Sequence, residues 1–163
     1  LAAERARVAA LVRPGEHVVD LFGGVAPFGV QAALRGARVD SIDLNPDAVA
    51  LARRNVEACG VAGRVALHEG DARAVAPTLE PADRVFMNLP HDAHRFLDVA
   101  SRLVKPGGTV HHHEILAVAD LPRRQEALRQ EMARLGRPVR AVLLRTVRNY
   151  SATEAHVAID LGV

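Results

Sequence analysis

The sequence predicts an α/β domain in which helices cover both faces of a doubly wound, mostly parallel sheet. Three observations carry this. Short apolar runs alternate with helically spaced ones along the chain. The first two short runs end in acids, Asp20 and Asp43. A turn of small residues, LFGGVAPFG, then separates the first run from the next helix, as in sheets that bind ligands beyond the carboxyl ends of their strands.

In chain order, residues 4–12 (ERARVAALV) have helical apolar spacing and are stopped by Arg13-Pro14-Gly15. Residues 18–22 form a short buried strand. Pro27 suits the first position of a helix running through QAALR, and Gly36 suits the residue after its end. Residues 38–44 make a second strand ending at Asp43. Asn45 caps a helix over 46–58, with Pro46 in its first turn. A third strand (64–69) precedes Gly70-Asp71, and a fourth (83–87) is broken by Asn88-Leu89-Pro90. A helix over 92–103 leads to the turn Lys105-Pro106-Gly107-Gly108, a strand over 109–115 and a polar helix over 121–135. Two extended runs, 139–148 and 155–161, flank Tyr150-Ser151-Ala152-Thr153 and read as a hairpin.

With 163 residues, about half of them apolar, the chain fits one domain with a sizeable core. A lone cysteine, Cys59, excludes an intrachain disulfide framework. No apolar run reaches the ~20 residues of a membrane helix, and no leader pattern opens the chain. A cytoplasmic, monomeric protein without membrane contact is expected. The chain starts at Leu1 without a methionine, which reads as a domain of a longer protein. A net charge of +2 with a basic pI admits an anionic partner without requiring one.

The glycine turn now takes on chemistry. Gly23 and Gly24 let backbone N–H groups approach a ligand, at the positive end of the helix that follows. Asp43 follows Asp20 by 23 residues, the spacing that brings a carboxylate to the hydroxyls of a ribose. An adenosine-type cofactor is implied. Gly24 to Gly29 also imitates a dinucleotide fingerprint with alanine in the middle, so a nicotinamide enzyme stays open. In HEGDAR, Asp71 sits where a carboxylate or the adjacent backbone can meet an adenine amino group. In MNLPHDAH, Asn88 offers an amide to a planar group while Pro90 fixes the bend; the plain alternative makes Asn88 a helix-capping turn residue.

LAAERARVAALVRPGEHVVDLFGGVAPFGV, DLNPDAV, GDARAVAP, DRVFMNLPHDAHRFLD, KPGGTVHHHE and VRNYSATEAHVAIDL together make the chain resemble the catalytic domain of the archaeal and eukaryotic tRNA (guanosine-37 N1)-methyltransferases. The resemblance runs in order over all 163 residues. It implies a class I methyltransferase, Rossmann-like sheet of seven strands with the last strand antiparallel, S-adenosylmethionine as cofactor, and guanosine 37 in the tRNA anticodon loop as target. It also implies roles. Asp43, with Leu44 and Asn45, would hold the ribose. Gly70, Asp71 and Ala72 would meet the adenine. Asp20, Phe22, Gly23 and Gly24, on to Ala26, would meet the methionine end together with Asn88. Glu4 matches the family's general base, and Asn88 with Pro90 matches the element that positions the guanine. The family commonly has glycine where Ala26 stands, so a methyl group is expected at the closest backbone approach to the cofactor. It also carries N-terminal tRNA-recognition domains that this sequence lacks. Two alternatives remain: transfer of an aminocarboxypropyl group to a modified guanosine, and a cofactor- and RNA-binding module without turnover.

Other features carry less. In His111-His112-His113-Glu114, strand alternation lets only His111 and His113 share a face, so no metal site is expected. His91 and His94 read as a solvated helix start. Arg145 and Arg148, with Tyr150, read equally as phosphate contacts or as a solvated edge strand.

Overall fold

The computed structural model describes all 163 residues. The chain runs α1 (Ala2–Leu11), β1 (His17–Asp20), α2 (Pro27–Leu34), β2 (Arg38–Asp43), α3 (Pro46–Ala58) and β3 (Val65–Glu69). It continues with α4 (Ala72–Val75), β4 (Ala82–Asn88), α5 (Leu97–Leu103), β5 (Val104–Ala117), α6 (Leu121–Arg134), β6 (Ala141–Asn149) and β7 (Glu154–Gly162). No helix is long and apolar enough to cross a membrane.

The strands form one sheet in the order β3-β2-β1-β4-β5-β7-β6. The pairs from β3 to β5 are parallel, and β7 runs antiparallel between β5 and β6. This is the class I methyltransferase arrangement. Order reverses between β1 and β4, which brings Asp20, Asp43, Glu69 and Asn88 to one edge of the sheet.

Alternating side chains split the core in two. Val18, Val39 and Phe86 face α1, α2 and α3, where Val8, Val12, Phe28 and Val56 cover them. Val19, Val85, Met87, Val157 and Ile159 face the other way, under α5 and α6, which contribute Leu97, Leu103, Leu128 and Met132. The apolar runs Val85-Phe86-Met87 in β4 and Val157-Ala158-Ile159 in β7 follow from burial on both faces.

Local differences from the sequence reading have physical causes. The segment expected as one helix over 92–103 begins as a 3-10 turn over Ala93–Phe96, because Pro90 and its carbonyl, which accepts from Ile115 N–H at 2.7 Å, hold its start against β5. The short α4 has too few residues for a periodic signal; Asp71 caps it by accepting from Arg73 N–H at 2.8 Å. β5 extends back to Val104 because Gly107 N–H donates to Val163 and Val163 N–H to Gly108.

Candidate active site

The turn after β1 is built on constraints that only small residues meet. A Cβ at Gly23 would collide with Ser41 Oγ, so β2 can lie close behind it. Gly24 has φ +55°, and its N–H donates to Asp43 Oδ2 at 2.8 Å, while Asn45 N–H donates to Asp43 Oδ1 at 2.9 Å. Gly70 N–H reaches the Asp43 carbonyl at 2.9 Å. Asp43 thereby fastens three loops together, and its carboxylate retains lone pairs for two further donors. Asn45 caps α3 through Asp47 N–H, and Leu44 projects into solvent with 72% of its surface exposed.

Asp20 lies beneath this turn, buried, with one hydrogen bond from Phe22 N–H at 3.3 Å. Burial, reinforced by the charge of Asp43, pushes its carboxyl up to about 7 against that single donor. A cation beside it would be welcome. The Phe22 ring stands edge-on to Phe96, 4.8 Å between centroids, and Arg73 lies over Phe96. Ala72 is buried, whereas the Asp71 carboxylate is engaged at the start of α4.

Ala26 corrects an expectation. Its backbone is left-handed, φ 65°, and its methyl group is wholly buried in the core beneath α2 instead of lining the cleft. The departure from glycine is therefore met by left-handed backbone strain, not by a methyl group exposed at the turn.

Glu4 and Asn88, 84 positions apart, are related through one histidine, hydrogen-bonded to the first and level with the second in the sheet. Asn88 pairs with His113 across β4 and β5, and His113 Nε2 lies 2.9 Å from Glu4 Oε1. Glu4 is only 3% exposed, so it is no solvated helix residue. Arg7 grips both its oxygens at 2.7 and 2.9 Å and also donates to Asp160 at 2.7 Å. Burial raises the Glu4 carboxyl, but the hydrogen bonds and charges of His113 and Arg7 together outweigh it and hold it at about 2. Asn88 Oδ1 is buried without a partner, which leaves one strong acceptor free at the site.

The histidine run is spent on pairing. His111 Nδ1 meets Asp160 at 2.9 Å, while its Nε2 lies 3.2 Å from Arg84, itself bound to Glu16. His112 and His94 both face Glu114, at 2.9 and 3.5 Å, so His94 is half-buried where a solvated turn was expected. No group of three or more metal-ligand side chains converges. Sequence reasoning missed this network; the available signal was the alternation that puts His111 and His113 on the face α1 covers. The cavity between α4 and α5, about 330 Å³, shares no lining residue with the predicted site.

The family model for the TRM5/TYW2 methyltransferase domain matches residues 1–140. The tRNA (guanine(37)-N(1))-methyltransferase Trm5b of Pyrococcus abyssi is 34% identical over 164 residues, covering 100% of this chain and 48% of that protein. Its crystal structure superposes with a TM-score of 0.89 over 99% of this chain. The structure of M. jannaschii TYW2 in complex with AdoMet superposes with a TM-score of 0.90 at 29% identity, covering 98% of this chain and 74% of that one. A tRNA(Phe) (4-demethylwyosine(37)-C(7)) aminocarboxypropyltransferase of Pyrococcus horikoshii is 28% identical over 98% of this chain and 58% of its own length. The chain thus spans about half the length of the Trm5b relative. With its sheet order and its match over residues 1–140, the chain belongs to the TRM5/TYW2 methyltransferase domain family.

Proposed function

We propose that this domain transfers a methyl group from S-adenosylmethionine to N1 of guanosine 37 in tRNA. The observation that carries the reading is that His113, hydrogen-bonded to Glu4, lies in strand register with Asn88, whose strand ends at the same edge of the sheet as Asp20 and Asp43. The residues fit the cofactor. Asp43 offers a carboxylate to a ribose, Gly24 an open left-handed turn, and Asp20 a buried carboxyl to a cationic methionine end. When bound, S-adenosylmethionine supplies an electrophilic methyl group on a sulfonium.

The protein's part is to bind, orient and deprotonate. Guanine N1 carries a proton at neutral pH and becomes nucleophilic once that proton leaves. Asn88, with its free buried oxygen and its amide donors, holds the base edge, and Pro90 fixes the turn that presents it. Glu4 takes the N1 proton. A carboxylate gripped by Arg7 and His113 is too weak a base for this, so Arg7 must lean toward Asp160, which it already touches, as the target base enters. The nucleotide reaches the pocket turned out of the anticodon-loop stack. The partner is tRNA, and the domain acts in the cytoplasm.

The test is methyl transfer from labelled cofactor to a tRNA transcript with guanosine 37, followed by nucleoside mass spectrometry. N1-methylguanosine is expected. An aminocarboxypropyl nucleoside would select the alternative that the relatedness to the Pyrococcus horikoshii enzyme keeps in view, and no product with bound cofactor would leave a binding module.

A further inference from the structure

We propose that the outer rim of β6, through Arg145, Arg148 and Tyr150, is the surface that grips the phosphodiester backbone of the RNA beside the target nucleotide. The inference rests on the RNA-directed reading above and adds where the RNA lies.

Strand register aligns this rim with Asn88. Asn88 pairs with His113, His113 with Ala158, and Ala158 with Arg145. These four residues form one row across the sheet and share the face that α1 covers. Three strand spacings separate Asn88 from Arg145, about 14 Å. Ala158, the small member of the row, leaves that stretch of the face low.

Arg145 and Arg148 are three residues apart, an odd spacing that would point them to opposite faces of a regular strand. The pairing slips by one residue between Thr146 and Arg148: Thr146 faces Val157, and Arg148 faces His156. This bulge turns Arg148 onto the same face as Arg145. Both are exposed, and neither has a carboxylate partner. Arginines nearer the centre of that face differ: Arg7 binds Glu4 and Asp160, and Arg84 binds Glu16. The rim thus keeps two uncompensated guanidiniums, which suit phosphate oxygens bidentately. Arg148 lies over the Tyr150 ring, 5.3 Å from its centroid, and that ring is 55% exposed, free to stack on an unpaired base.

The test compares the protein with Arg145→Ala/Arg148→Ala and with Arg53→Ala/Arg54→Ala, a pair exposed on α3. Binding to a tRNA transcript is followed by fluorescence anisotropy from 50 to 300 mM salt, alongside S-adenosylhomocysteine binding and thermal melting. The β6 variant is expected to lose about tenfold or more in RNA affinity, with a salt slope shallower by roughly 1.5. Its cofactor affinity and melting temperature stay at wild type, and Arg145→Lys/Arg148→Lys recovers most of the slope. Wild-type affinity and slope in the β6 variant, or an equal loss in the α3 variant, would overturn the assignment while leaving the RNA-directed reading intact. Absence of salt-dependent tRNA binding by the unaltered protein would overturn both.

Discussion

At the scale of single residues, the site is made by groups in conditions they would not choose in water. Asp20 is a buried carboxyl with one donor, Asn88 keeps a buried oxygen unpaired, and Ala26 holds a left-handed backbone. Such departures cluster where function lies. Ala26 allows a quantitative test. Replacing it with glycine releases ~1–2 kcal/mol of left-handed strain, restores ~0.5–1 kcal/mol of unfolded-chain entropy, and removes a methyl group buried at ~0.8 kcal/mol. Ala26→Gly is therefore expected within about 0.5 kcal/mol of wild type in urea unfolding. Ala33→Gly, a buried alanine inside α2, is expected to lose ~1.3–1.8 kcal/mol. Equal losses in the two would mean that the backbone at Ala26 is unstrained. The sequence announced Ala26 as a departure but not where its methyl points, because the side chain's direction depends on the φ of the turn.

At the scale of elements, α1 is fastened to the sheet by charges as much as by Val8 and Val12. Glu4 and Arg7 tie it to His113 on β5 and Asp160 on β7, and Arg84 donates to the Leu11 carbonyl at its far end. Glu4→Gln separates the fastening role of Glu4 from the proton-accepting role proposed for it. Arg7 keeps Asp160, so the stability loss is expected at about 1–3 kcal/mol, short of the cost of stranding a buried charge. Single-turnover methyl transfer, measured where the variant is fully folded, is expected to fall by about 10²- to 10⁴-fold with cofactor affinity near wild type. A rate within a few fold of wild type, with the stability loss present, would make Glu4 a fastener and not a base. Helix positions were legible because caps and apolar spacing are local, as Asn45 and α3 illustrate. The Glu4–His113 meeting was not, because it depends on which strands become neighbours, a property of topology.

At the scale of the whole molecule, stability must depend on pH in a direction set by two opposed groups of residues. Glu4, Asp160, Asp40 and Glu114 are buried, yet their partners hold each carboxyl below its ordinary value. What they contribute is present above the unfolded carboxylate range and is lost as pH falls through their folded values. His111, His112 and His156 are pushed down by burial, so the native state resists protonation that the unfolded chain accepts, and stability falls further below pH ~6.5. Asp20 has the opposite sign: raised from 3.8 to about 7, it favours the native state most at low pH and loses that advantage as pH rises from the unfolded carboxylate range to about 7. Urea unfolding is expected to show stability rising from pH 3 to 6.5. Asp20→Asn should steepen the rise between pH 4 and 7, and an unchanged slope would show that Asp20 is ionised throughout.

The order β5-β7-β6 has a further consequence, for how the chain is made. A ribosome releases residues from the N-terminus, so β5 and β6 are both available before β7, the strand that must lie between them, has left the exit tunnel. Until residues 154–162 emerge, the long strand β5 has an open flank lined by His111, His112 and His113, and the rim of β6 has nothing to pair with. Local helices and the parallel β1-to-β4 half can gather early, but the half of the sheet that carries His113 must wait for its keystone strand. Synthesis therefore finishes the row from Asn88 through His113 to Arg145 last, and a nascent chain stalled before Glu154 would be a template for mispairing.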